Sequence, residues 1–253
     1  MASEFPAQRT AIVTGGARRI GAALCRALAA DGWHLLIHCN RSAAEAEALA
    51  AELGRARVVR AELADADAAG RIVAALDGLP PPCLLVNNAS RFAYDDAGGF
   101  SVEQWDAHLD INLRAPALLS QAFAAVAGEG GLIVNLLDAK LAFPNPDFFT
   151  YTVSKLGLAG LTELCARAFA ARGIRVCGIA PSVTLVSGPQ SRENFDAVHP
   201  LNALGRGVRV EEIVAALRFL IATPTITGQI ITLDGGQRFL GLPRDVQFLE
   251  TDT

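Results

Sequence analysis

The feature that most limits how this chain can fold is a regular alternation of short β-prone apolar runs with longer helix-forming stretches. Thr10 to Thr14 is apolar and β-branched and stops at Gly15-Gly16, and Ala22 to Ala30 is rich in helix formers and ends at Asp31-Gly32. The rhythm continues through strand-like Trp33 to Cys39, helix-like Ser42 to Leu53 and strand-like Ala56 to Arg60. Asp65 to Leu76 is again helix-like, and Cys83 to Asn87 is an apolar strand entered through three prolines. A long helix is predicted over Val102 to Val126, bent near Pro116, whose ring nitrogen has no hydrogen to donate. Leu132 to Leu137, Ile174 to Ala180 and Gln229 to Leu233 complete the strands, while Leu156 to Ala171 and Val210 to Ile221 complete the helices. Strand and helix in strict succession predict one parallel sheet with helices on both faces.

That pattern is an α/β, Rossmann-type, doubly wound sheet of about seven strands. No repeat, low-complexity tract or linker interrupts it, so residues 1–253 read as a single domain, with 241–253 as a C-terminal tail. Of the 253 residues 51% are hydrophobic and 19% charged, enough for a large core and against disorder. The net charge of −4 offers no basic stripe for nucleic acid. Met1 to Thr10 lacks the apolar core of a signal peptide, and no apolar run approaches the roughly 18 residues of a membrane span. Cys25, Cys39, Cys83, Cys165 and Cys177 are scattered and never spaced C-x-x-C, which fits free thiols in a reducing, cytoplasmic setting. H-E-x-x-H and G-x-S-x-G are both absent, so neither a metal site nor a serine hydrolase is expected.

In an open parallel sheet ligands sit beyond the carboxyl ends of the strands. Thr14-Gly15, His38, Asn87, Asp138 and Pro181 all lie at such ends and are expected to converge on one crevice. The first glycine turn joins a strand to a helix, the setting in which backbone N–H groups cradle a phosphate. Tyr151 and Lys155 are one helical turn apart, so they share a face. An ammonium beside a phenol favours phenolate, lowering a tyrosine pKa from about 10 toward neutrality, and makes a proton donor and acceptor of it. The second strand ends without the Asp or Glu that holds a ribose 2′-hydroxyl; Arg41 is there instead, and a guanidinium suits a 2′-phosphate. Each residue taken alone has a plainer reading: Arg41 as a surface arginine, Asp138 as a turn aspartate, Phe92 as core packing.

Together these residues resemble the short-chain dehydrogenase/reductase family over nearly the whole chain. Thr14-Gly15-x-x-x-Arg19-x-Gly21 resembles its glycine turn, Asn87-Asn88-Ala89 its N-N-A element, and Tyr151-x-x-x-Lys155 its catalytic pair. Asn112 and Pro181 also stand where the family has asparagine and proline. Two departures narrow the resemblance. Arg19 replaces the central glycine of the turn, and Asp138 stands in the place of the usual catalytic serine. Both resemble the pteridine reductase branch, including bacterial dihydromonapterin reductases. The same is true of His38-Cys-Asn-Arg41-Ser42-Ala-Ala-Glu-Ala and of Asn87-Asn-Ala-Ser90-Arg-Phe92. Ser182 in place of a glycine, and Glu62 in place of an aspartate at the adenine pocket, depart from both patterns.

The resemblance implies NADPH as cofactor, held by Gly15, Arg18, Arg19 and Ile20, then by His38, Arg41 and Ser42, then by Glu62 and Leu63. It extends that site to Asn88, Ala89 and Ser90, to Tyr151 and Lys155, and to Pro181 and Val183. Catalysis is assigned to Asp138, Tyr151, Lys155 and Asn112, with Asn112 holding a water that links Lys155 to solvent. The substrate is expected among Ser90, Phe92, Asp138 and Tyr151, with Phe92 stacked on a pterin ring. The implied activity is NADPH-dependent reduction of a pterin C=N bond in a dihydropterin, dihydromonapterin or dihydrofolate-like substrate. The alternatives are a carbonyl reductase acting on a 3-oxoacyl or other ketone, and an NADP-binding sensor without turnover. A carboxylate beside a developing alkoxide is repulsive, so Asp138 weighs against the ketone. The apolar helices also predict a homotetramer, or at least a dimer.

Overall fold

A computed structural model describes residues 5–128, 130–188 and 190–249; residues 250–253 of the tail lie outside them. Among the described residues seven parallel strands form one sheet: β1 (Thr10–Val13), β2 (His34–Cys39), β3 (Ala56–Arg60), β4 (Pro82–Asn87), β5 (Gly131–Leu136), β6 (Ile174–Pro181) and β7 (Ile230–Leu233). Their spatial order is β3-β2-β1-β4-β5-β6-β7, so the chain reverses direction across the sheet between β1 and β4. That reversal opens a crevice at the carboxyl ends of these two strands.

Successive strand residues point to opposite faces, and both faces are buried. Val13, Ile37, Val86, Val134 and Ile179 join a core under α1 (Arg19–Ala30), α2 (Ala43–Leu53) and α8 (Val210–Ala222). Ile12, Leu36, Leu85, Ile133 and Val176 join the opposite core, built with α3 (Ala68–Ala74), α5 (Ala115–Val126) and α6 (Phe149–Phe169). Phe123 and Leu119 of α5 fill that second layer. The doubly wound sandwich expected from the alternation is therefore the fold observed.

The element ends differ in ways that matter for the site. Helix α1 begins at Arg19 and α6 at Phe149, each ahead of the predicted start, so Tyr151 and Lys155 both lie on α6. The long helix predicted over 102–126 is two helices, α4 (Val102–Leu109) and α5, joined by a π turn at Asp110–Arg114. Ser101 and Gln104 start α4 with a reciprocal capping box. Pro116 sits in the first turn of α5, where its ring is tolerated, so the irregularity lies just before it and not at it. The ring leaves the carbonyl of Asn112 without its usual i+4 donor, and the Ala115 N–H bonds back to Asp110 instead. A short helix, α7 (Arg192–Val198), stands in the 182–204 stretch where the sequence showed no pattern.

Candidate active site

The ends of β1 and β4 are tied together before any ligand is considered. The Thr14 hydroxyl accepts the N–H groups of Asn88 at 2.9 Å and Ala89 at 3.0 Å. The Asn88 amide in turn donates to the carbonyls of Thr14 (2.8 Å) and Gly15 (3.1 Å). A Cβ at Gly21 would run into the Gly15 carbonyl and the Asn88 amide, so only glycine lets α1 start against the turn. Arg19 keeps a left-handed φ of 54° although it is not glycine, and its guanidinium reaches the Val186 carbonyl at 2.8 Å. The strained turn is thus tied to the loop after β6.

Those strand ends open into a cavity of about 700 Å³. Most of the predicted cofactor residues line it: Gly15, Arg18, Arg19 and Ile20; Arg41 and Ser42; Asn88, Ala89 and Ser90; Pro181 and Val183. His38 does not. Its buried ring supports the glycine turn from below, accepting the Gly15 N–H on Nδ1 (3.2 Å) and donating from Nε2 to the Ala61 carbonyl (3.1 Å). Burial lowers its pKa, in keeping with a neutral ring. Glu62 and Leu63 also stand off the cavity; Glu62 accepts from Asn40 (2.6 Å) and from the Ala64 N–H (3.3 Å), holding the ends of β2 and β3 together. Arg41 lines the cavity and has no hydrogen bond or ion pair among the described residues.

At the inner end the Tyr151 hydroxyl donates to Asp138 Oδ2 at 2.8 Å. Asp138 Oδ1 accepts the Lys140 N–H at 2.8 Å and so also caps a short 3₁₀ turn at Ala139–Ala142. Asp138 thus makes the turn contact that its position after a strand predicts, and it also lines the cavity. The expected lowering of the phenol pKa by Lys155 is not found. Burial, and then the Asp138 charge, push the Tyr151 pKa well above its ordinary value. The Lys155 ammonium lies 5.8 Å from the tyrosine ring centre and donates to the Leu136 carbonyl at 2.7 Å. Its own pKa is pushed down to about 8 by burial. Burial and the neighbouring Asp138 thus disfavour the phenolate, and the Tyr151 hydroxyl donates to Asp138.

Asn112 lies in the wall behind the cavity and not on it. Its carbonyl oxygen accepts from the Ser90 hydroxyl (3.2 Å) and the Arg91 N–H (2.8 Å), and its amide donates to the Arg91 carbonyl (2.9 Å) and the Ser154 hydroxyl (3.0 Å). That uses the whole capacity of the side chain. A water relay at this residue would have to run through its main-chain carbonyl, which Pro116 leaves without an i+4 donor.

Phe92 lines the cavity, stacked on Phe148 with ring centres 4.3 Å apart and meeting Tyr151 edge-on at 4.8 Å. Phe148, invisible to motif reading, is buried, holds a left-handed φ of 52° and caps α6 just ahead of Tyr151. A second unforeseen group is the buried chain His108, Thr150, Asp95. His108 Nε2 accepts the Ala93 N–H at 3.3 Å, so Nδ1 carries the hydrogen toward the Thr150 hydroxyl at 2.6 Å; that hydroxyl donates to Asp95. It pins the residue before Tyr151.

A doubly wound sheet with a glycine turn at its switch point, and a Tyr/Lys helix at the same crevice, define a dinucleotide-dependent oxidoreductase class. Residues 9–196 match the short-chain dehydrogenase family model, and the chain belongs to that family. A solved structure of FolM alternative dihydrofolate reductase 1 from Brucella canis, complexed with NADP, is 40% identical with a TM-score of 0.88, covering 92% of this chain and 95% of that one. Pteridine reductase 1 of Leishmania tarentolae is 32% identical over 91% of this chain and 96% of its own length. A 3-oxoacyl-[acyl-carrier-protein] reductase of Synechocystis is 31% identical over 90% and 96%.

Proposed function

We propose that this protein is an NADPH-dependent reductase of a pterin C=N bond, taking a dihydropterin, dihydromonapterin or dihydrofolate-like substrate to the tetrahydro form. The observation that carries the reading is the Tyr151–Asp138 hydrogen bond in a cavity that also contains Phe92. A phenol paired with a carboxylate can hold the proton that a ring nitrogen needs when the adjacent carbon is reduced. Asp138 sets a negative charge where a ketone would develop its own, which opposes carbonyl reduction. Phe92 offers an aromatic platform for a flat heterocycle. The relatives named for dihydrofolate and pteridine reduction support the same reading.

The cofactor end fits an NADP dinucleotide. The N-terminus of α1 has no side-chain cap and no acid in its first turn, which suits a pyrophosphate. Unpaired Arg41, with Ser42 beside it, suits a 2′-phosphate. When bound, the reduced dinucleotide supplies the hydride. Tyr151 and Asp138 then hold and pass the proton, and Lys155, fixed by the Leu136 carbonyl, keeps a cation on the same wall.

The second reading is a carbonyl reductase, favoured by the 3-oxoacyl reductase relative. NADPH oxidation measured against a panel of dihydropterins and ketones separates the two: pterin turnover is the expected result, and turnover of ketones alone contradicts it. We also propose a homotetramer, or at least a dimer. Leu156 and Leu164 on α6 are 45% and 66% exposed, and Val126 on α5 is 41% exposed, apolar surface that a partner would cover. A monomer by light scattering at micromolar concentration contradicts this.

A further inference from the structure

The C-terminal segment carries no recognisable motif, yet it builds one wall of the cavity through Leu242, Arg244, Asp245, Val246 and Gln247. It is anchored at Asp147. That buried carboxylate accepts Arg244 Nε at 3.0 and 2.7 Å and the Asp245 N–H at 2.7 Å. Val246 is buried, and Phe248 stacks on Phe148 at 5.8 Å and meets Tyr94 edge-on at 5.2 Å. The wall therefore rests on the same aromatic cluster that carries Phe92.

Anchoring in this way presents one carboxylate to the cavity. Asp245 Oδ1 accepts the Gln247 N–H at 3.2 Å, while Oδ2 faces Lys140 Nζ at 3.6 Å; the side chain is 16% exposed. Lys140 is also the residue whose N–H bonds Asp138, so Asp245, Lys140 and Asp138 follow one another along the cavity. The cations on this wall are already engaged. Lys140 serves Asp245 and the Asp147 carbonyl, Arg244 serves the Asp147 carboxylate, and Arg238 serves Asp234. Among the described residues, an anionic substituent reaching the wall meets two carboxylates and no unpaired cation. A substituent bearing hydroxyl donors meets acceptor oxygens.

We propose that Asp245 is a substrate-binding residue, through which the C-terminal segment selects pterins with an uncharged, hydroxyl-bearing substituent over pterins that carry carboxylates. The inference rests on the pterin reading above. Its test compares kcat and KM of the full chain and of Asp245→Asn for two substrates. One is a dihydropterin with a polyhydroxyalkyl substituent, and the other is dihydrofolate, whose glutamate is anionic. The asparagine keeps the size and the Gln247 contact, and loses the charge and the acceptor that faces Lys140.

Wild type is expected to favour the hydroxylated substrate. In Asp245→Asn that preference, as a ratio of kcat/KM values, is expected to fall by about tenfold or more, mainly through KM, the scale of a lost charge-assisted contact. Lys140→Met removes the cation facing Asp245 and is expected to move the ratio the other way. An unchanged ratio in Asp245→Asn, or a shift in the same direction for both variants, overturns the role of Asp245 while leaving pterin reduction standing. Absence of pterin turnover in the wild type overturns the underlying function, and this inference with it.

Discussion

The Tyr151 hydroxyl and Asp138 Oδ2 are 2.8 Å apart, and the pair is placed by different elements, the first turn of α6 and the loop after β5. Burial and Asp138 together raise the tyrosine pKa, and the phenol is the hydrogen-bond donor of the pair. Tyr151→Phe keeps the ring packed against Phe92 and removes only the transferable hydrogen. Turnover is expected to fall by about 10²- to 10⁴-fold while dinucleotide affinity, read by fluorescence titration, stays close to wild type. A near-normal rate in Tyr151→Phe would remove the phenol from the proton path.

Lys155 gives a prediction in pH. Its folded pKa of about 8 lies below the ordinary lysine value of 10.5, so the buried ammonium carries a penalty that is fully present below about pH 8. The penalty disappears as pH rises through 10.5, because the unfolded chain then also loses the proton. Lys155→Met never carries it. Its stability relative to wild type, from denaturant unfolding, is expected to decline steadily between pH 8 and 10.5. A difference that stays flat over that window would place Lys155 in a less buried setting.

Arg41 is the cavity cation left without a partner among the described residues. Arg41→Ala is expected to weaken NADPH binding by roughly ten- to a hundredfold and NADH binding far less, the range for one charge-assisted contact. Equal affinities of the unmutated protein for both dinucleotides would contradict a 2′-phosphate site here.

Local patterns account for what the sequence revealed. Strand and helix periods and the Tyr151/Lys155 spacing are short-range, and they match the sheet and α6, while Tyr151, Lys155 and Asp138 all line one cavity. The position of His38 at a strand end says nothing about which way the ring turns; it folds under the glycine turn, off the cavity. The place of Asn112 in a motif does not show that its side chain clamps the Ser90–Arg91 segment, the π turn and α6 together. The bend was expected at Pro116, whereas the missing donor acts upstream, on the carbonyl of Asn112. The tail was opaque for a different reason. Asp147 and Arg244 meet across 97 positions of chain, and no periodicity or propensity encodes such a contact.

The most direct test of the account is a side-by-side assay of wild type and Asp138→Ser with NADPH, against a dihydropterin and against an activated diketone. Asp138→Ser removes the carboxylate that accepts the Tyr151 hydrogen bond and puts a neutral hydroxyl in its place. The account predicts dihydropterin reduction by the wild type, and a loss of about a hundredfold or more in Asp138→Ser. It also predicts diketone turnover that holds or rises in the same variant. Wild type reducing only the diketone, or Asp138→Ser leaving dihydropterin turnover intact, would contradict it.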